Sequence, residues 1–199
     1  MRKSRRRSRR SSSRKIQERH LSKKHKTGSC LFFCATMLVM DKYVIFYNRI
    51  RNVLPSRIVN ILNECITDGI FLSYPLFLFF LLMKQSPLLL KSVMVPGITF
   101  CLITLLRNAF DFPRPYEKHE IEPVLKPHKK GHSFPSRHVF SATIIAFTFM
   151  CYNFWLGLGY FIAAVLLAVL RVIGGVHYPR DVIVALILGI FAGISELVL

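Results

Sequence analysis

Residues 139–170 read VFSATIIAFTFMCYNFWLGLGYFIAAVLLAVL, a run of 32 positions without a charged side chain. As a single helix rising 1.5 Å per residue it would be about 48 Å long, against a bilayer hydrocarbon core about 30 Å thick. The run must therefore turn back, and Asn153 with the Gly157/Gly159 pair is the place where the pattern allows it. That reading yields two consecutive spans, near 137–153 and 155–173. Working outward, comparable apolar stretches predict further spans near 181–199, 88–106, 66–83 and 30–47. The fold class is all-α: a polytopic membrane protein built as a six-transmembrane-helix bundle over residues 29–199.

The first of these spans is the least apolar. Asp41 and Lys42 would each cost about 2.5–3.5 kcal/mol at a helix centre, so they belong near an interface. Lys91 sits close enough to the end of its span to snorkel, and Pro75 and Pro96-Gly97 mark kinks inside helices. Ala185, Gly189 and Gly193 recur every four residues on the last span, a stripe suited to close helix packing.

Charge is distributed unevenly. Of 28 Lys and Arg residues, 13 lie in residues 1–26, where Glu18 is the only acid; the remainder carries 15 basic and nine acidic residues. Residues 1–28 therefore read as a polybasic cytoplasmic tail, too polar to offset its ordering entropy and expected to be disordered. Its role is a topology signal attracted to anionic lipid, with an RNA-binding arm or an added expression leader as alternatives. The net charge of +18 belongs mostly to this tail, so no nucleic-acid partner is expected for the chain. No A-x-A site follows the first apolar stretch, so a cleaved signal peptide does not fit. The five cysteines are scattered through apolar runs without metal-ligand pairing and read as buried thiols.

With the basic N-terminus in the cytoplasm, six spans return the C-terminus to the same side and leave loops 107–136 and 174–180 outside. Those loops are two spans apart, so they share a face whether or not residues 30–47 cross. The shared face collects Arg107, Arg114, Arg137 and His138 from one region and Arg171, His177 and Asp181 from the other. Charge of this density beside lipid marks function; the plain alternative is a set of snorkelling arginines balanced by Glu117, Glu120 and Glu122.

In VHYPRD (176–181), Pro179 suits the first turn of a helix, which places Asp181 where the helix dipole favours a carboxylate. His177 is left on the preceding loop, behind Gly174-Gly175, which permits close backbone approach. A carboxylate four residues away can orient an imidazole as a nucleophile or base, although a helix cap explains the same spacing. In SFPSRH (133–138), Ser136 is placed to cap the next helix and to leave backbone N–H groups for an anion. Two histidines in unlike settings suggest one base or nucleophile and one acid.

Taken together, these stretches resemble the tripartite signature of the phosphatidic acid phosphatase type 2 superfamily, which also holds lipid-diphosphate phosphatases and vanadium haloperoxidases. The signature runs Lys, six residues, Arg-Pro; then Pro-Ser-Gly-His; then Ser-Arg, five residues, His, three residues, Asp. Here Arg107 precedes Arg114-Pro115 at that spacing, Pro135-Ser136-Arg137-His138 follows, and Leu170-Arg171 leads to His177 and Asp181. Three positions depart from the pattern. Arg107 replaces Lys, Leu170 replaces Ser, and Arg137 replaces Gly, the last adding a cation that would suit a diphosphate better than a monophosphate.

The resemblance implies a helical bundle with its active site at the non-cytoplasmic end. It implies that His177 attacks phosphorus to form a phosphohistidine, that Asp181 orients it, and that His138 protonates the leaving oxygen. Arg107, Arg114, Ser136 and Arg171 would bind phosphate, with Arg137 tuning the substrate and no metal or other cofactor taking part. The implied substrate is a lipid phosphate or diphosphate. An isoprenoid diphosphate of the undecaprenyl type in a bacterial plasma membrane is favoured; phosphatidic acid and phosphatidylglycerol phosphate are the other candidates. Two further readings stay open: a lipid phosphotransferase using the same intermediate, and a non-catalytic lipid-phosphate binder, which would have no use for the His177–Asp181 pair.

Overall fold

The computed structural model describes residues 43–110, 112–118, 121–125, 131 and 133–198. The chain divides into two units, Met1–Phe46 and Tyr47–Leu199. Of the first unit only residues 43–46 are described, and they are helical. The basic tail over 1–28, the boundary after it and most of the expected span 30–47 lie outside the described residues.

The second unit opens with helical residues 47–51. It continues with α1 (Ser56–Met83), α2 (Leu88–Ala109), a single turn α3 (Pro115–Lys118), α4 (Arg137–Tyr152), α5 (Phe154–Ile173) and α6 (Pro179–Val198). No strand occurs among the described residues. Four helices, α1, α2, α5 and α6, are long and apolar enough to cross a membrane. At 28 residues α1 is about 42 Å long and begins ten residues before the start expected from hydropathy. Its polar first turns had hidden the helix from an apolar-run criterion, and they extend it beyond a core about 30 Å thick.

The turn expected inside 139–170 falls at Asn153, which is extended (φ −151°) and ends α4 while starting α5, its Oδ1 accepting from Leu156 N at 3.0 Å. Gly157 lets the two helices meet there, since a Cβ on it would lie 2.4 Å from Met150 Cα. At 16 residues α4 covers about 24 Å, less than the hydrocarbon thickness. It needs no lipid-facing length because every residue from Val139 to Phe149 is buried, as befits a helix apolar on all sides. Its Ala142, Ile145 and Phe149 pack with Ile70 and Phe77 of α1 and Leu167 of α5. Its Val139, Phe140 and Ile144 pack with Ile103 of α2 and Val182 and Ala185 of α6.

The outer helices bury only stripes. In α2 these are Ser92, Pro96, Ile103 and Arg107, spaced by four, seven and four residues. In α6 the small-residue stripe packs as its spacing predicted: a Cβ on Gly189 would lie 2.7 Å from Thr143 Cβ, and one on Gly193 would lie 2.2 Å from Phe147 Cγ. The cysteine expectation is corrected. Cys65 and Cys101 are exposed and Cys151 is half-buried, because with lipid as solvent an apolar helix turns such side chains outward as readily as inward. Cys30 and Cys34 lie outside the described residues.

Candidate active site

Helices α2 and α5 end, and α4 and α6 begin, at one end of the bundle, and that arrangement joins the two polar loops. Leu125 N donates to Gly174 O at 3.2 Å, and Ser136 N donates to Asp181 O at 3.2 Å. Gly175 holds φ +75°, a conformation that favours glycine. A Cβ there would lie 2.8 Å from the Tyr47 ring, and one on Gly174 would lie 2.4 Å from Leu125 Cδ1. The two glycines thus let the 174–178 loop fold down tightly, with its backbone tied to α5: Val176 N and His177 N both donate to Arg171 O at 3.3 Å.

His177 is carried on that loop and is only 2% exposed. Its Nδ1 lies 3.8 Å from Asp181 Oδ2, an ion-pair distance too long for a hydrogen bond. Asp181 sits in the first turn of α6. Its Oδ2 accepts from Tyr178 N at 3.2 Å and from Ser133 Oγ, and its Oδ1 accepts from Arg180 Nε at 3.3 Å. Burial holds the imidazole of His177 below its usual range; Asp181 opposes this, and the charges of Arg114 and Arg171 add to it. His138, in the first turn of α4, is half-buried, meets Phe71 edge-on at 6.1 Å and lies within electrostatic reach of His177, Arg107, Arg137 and Arg171.

The arginines gather around these rings. Arg107, in the last turn of α2, is buried and donates from Nη1 to Pro135 O at 3.4 Å, which ties the first motif to the second. Arg114 is buried and donates from Nε to Gly131 O at 3.2 Å. Arg171 is buried in the last turn of α5 with no partner for its Nε. Arg137 opens α4, half-buried, and its charge acts on Arg107 and His138. Ser136 stands at the N-cap position but does not cap: its side chain accepts no cap hydrogen bond, and its buried Oγ has no partner. The expected cap is thus corrected, and the hydroxyl remains as an unused donor.

The balancing role considered for the acids does not hold where they are described. Glu117 takes Arg114 N at 2.9 Å and Gly131 N at 2.7 Å, both backbone groups. Glu122 pairs with Arg51 at 2.7 Å, and Glu120 lies outside the described residues. Among the described residues no group of three His, Cys, Asp or Glu side chains could hold a metal ion. One contributor escaped the sequence reading, and a second was read there only as a counter-charge. Ser133 reaches Asp181, and Glu117 staples the loop that aims Arg114. Neither has a spacing signature, because each acts across a loop closure.

All eight residues singled out by the motifs therefore belong to this one end of the bundle, seven of them linked by mutual charge and Ser136 by its backbone hydrogen bond to Asp181. Residues 88–198, more than half of the chain, match the PAP2 superfamily. This chain belongs to that superfamily.

The PAP2 superfamily is the phosphatidic acid phosphatase type 2 group, and this PAP2 protein is an integral membrane member of its lipid-phosphatase branch. It is similar to undecaprenyl-diphosphatase BcrC of Bacillus subtilis (strain 168), with 29% identity over 132 residues covering 64% of this chain and 68% of BcrC. Its fold is shared with the crystal structure of Aquifex aeolicus LpxE, at TM-score 0.66 and 22% identity over 78% of this chain and 94% of LpxE. The transmembrane PAP2-type phosphatidylglycerolphosphate phosphatase of Bacillus subtilis matches at TM-score 0.48 and 21% identity, covering 79% of this chain and 93% of that one.

Proposed function

We propose that this PAP2 protein hydrolyses a lipid diphosphate, an isoprenoid diphosphate in the first place, through a phosphohistidine on His177. The observation that carries the reading is a buried imidazole, backed at 3.8 Å by Asp181 and set among the buried Arg107, Arg114 and Arg171. The lipid phosphate enters that cluster. Arg107, Arg114 and Arg171 hold its non-bridging oxygens, and the free hydroxyl of Ser136 with the backbone N–H groups at the start of α4 completes the cradle. His177 attacks phosphorus while Asp181 stabilises the positive charge that develops on the ring. A proton on His138 would sit among the like charges of Arg107, Arg137 and Arg171; the bound anion supplies the counter-charge, so His138 delivers its proton to the leaving oxygen only with substrate in place. Water then attacks the phosphohistidine and releases phosphate. Positioning and charge do most of the work in phosphoryl transfer, and guanidinium groups supply the charge here, so activity is expected to survive a chelator.

The preference for a diphosphate rests on Arg137. No hydrogen bond or ion pair holds its guanidinium among the described residues, and it stands beside Arg107 and His138. A monoester carries about −1.5 to −2 at pH 7; a second phosphate adds negative charge and oxygens for a fourth guanidinium. The relative BcrC, by name an undecaprenyl-diphosphatase, agrees with that direction. With the basic tail in the cytoplasm, the site opens on the opposite side of the plasma membrane.

The test is phosphate release by detergent-purified protein from an isoprenoid diphosphate, phosphatidic acid and phosphatidylglycerol phosphate, with chelator present and His177→Ala as the blank. The diphosphate is expected to be the best substrate, and Arg137→Gly to narrow its advantage. An unchanged ratio rejects the role of Arg137, and turnover by His177→Ala rejects the nucleophile. A bell-shaped rate profile is expected, because neutral His177 and protonated His138 are both required.

A further inference from the structure

We propose that Ser133 is a positioning residue for the His177–Asp181 pair, its hydroxyl holding the Asp181 carboxylate in the orientation that faces the imidazole. This rests on the phosphohistidine reading above. Ser133 lies outside all three motifs, yet it is fully buried and fastened by its own backbone, with N donating to Phe112 O at 2.8 Å. Its Oγ donates to Asp181 Oδ2, the same oxygen that faces His177 Nδ1 at 3.8 Å.

That oxygen is under two opposing influences. Tyr178 N and Ser133 Oγ hold it toward the loop, while Arg180, 42% exposed, draws on Oδ1 of the same carboxylate at 3.3 Å from the solvent side. The torsion that turns a carboxylate is broad and costs little, so its direction is decided by its donors. Arg107 and His177 act on Asp181 from other elements, and Arg114, Arg171 and His138 act on His177. Without Ser133, Tyr178 N alone opposes Arg180, and the carboxylate swings outward. The imidazole then loses the one carboxylate that acts on it among the described residues, while the arginines remain.

The experiment compares full-length wild type with Ser133→Ala and Ser133→Thr, purified in detergent, by kcat, KM and the pH profile of kcat/KM. In Ser133→Ala, kcat is expected to fall about 10- to 100-fold, as when an outer partner that orients a functional side chain is removed, with KM within about threefold. The acid limb should move to lower pH, because an imidazole with less counter-charge stays neutral further into acid. Ser133→Thr keeps the hydroxyl and should recover most of the rate. Adding Arg180→Gln to Ser133→Ala should also recover part of it, since the competing cation is gone.

Wild-type kcat in Ser133→Ala overturns the proposal, as does a lost rate with an unmoved acid limb. Should Ser133→Ala not fold, Ser133→Cys, a weaker donor of similar size, takes its place under the same criteria. An inactive His177→Ala beside a fully active Ser133→Ala rejects the role of Ser133 and leaves the nucleophile standing; an active His177→Ala rejects the underlying reading.

Discussion

Helix α6 buries a carboxylate at each end, Asp181 at 0% exposure and Glu196 at 1%, and the two are treated in opposite ways. Asp181 stands in the first turn, where the helix dipole favours an anion, and three donors engage its oxygens. Glu196 stands near the last turn, where the dipole opposes one. Thr148 Oγ1 donates to its Oε2 at 2.9 Å, its Oε1 has no partner, and Lys91 and Tyr74 lie within electrostatic reach. Burial of an acid inside a membrane bundle is therefore not in itself the mark of the working site. What sets the proposed site apart is three donors on its carboxylate together with an imidazole and arginines at the same end of the bundle.

The hardest test of this contrast is Asp181→Asn. It keeps an acceptor for Ser133 and Tyr178 but removes the charge behind His177, so kcat should fall about 10³- to 10⁴-fold while thermal unfolding in detergent changes little. Activity within tenfold of wild type would break the comparison at its functional end. Next comes the stripe that joins the two ends. Gly193→Ala forces a Cβ to within 2.2 Å of Phe147 Cγ and should destabilise the fold by about 1–3 kcal/mol, with turnover per folded molecule preserved. Gly69→Ala, with nothing within 4 Å, is the matched control and should show no such loss. The smallest effect is expected from Glu196→Gln, which retains an acceptor for Thr148 and removes a poorly partnered acid. Phosphatase activity should stay within about threefold and the unfolding temperature should hold or rise; a tenfold loss of activity would make the second carboxylate functional too.

Much of this arrangement was legible in the residues. The uncharged run 139–170 required a hairpin, and Asn153 is where it turns. The two-span separation of the polar loops required a common face, and a backbone hydrogen bond from Ser136 N to Asp181 O joins them there. The motif spacings picked out the histidines and arginines because chemistry needs those residue types at those intervals. Hydropathy failed where polarity and helix coexist, at residues 56–65, and it could not say that α4 is too short to span the membrane unaided and lies instead inside a sleeve of four helices.

What the sequence determined by itself is the class of molecule and the residue types at one aqueous end, because lipid-compatible length and fixed motif spacing are local, one-dimensional properties. Partnership was decided only in three dimensions. Glu117 could have neutralised Arg114 but instead takes two backbone amides; Ser136 could have capped α4 but leaves its hydroxyl free; Ser133, unremarkable in the chain, reaches the acid behind His177. Each outcome depends on which groups a loop closure brings within about 3 Å, and hydrogen bonding is too short-ranged and directional for spacing along the chain to determine it.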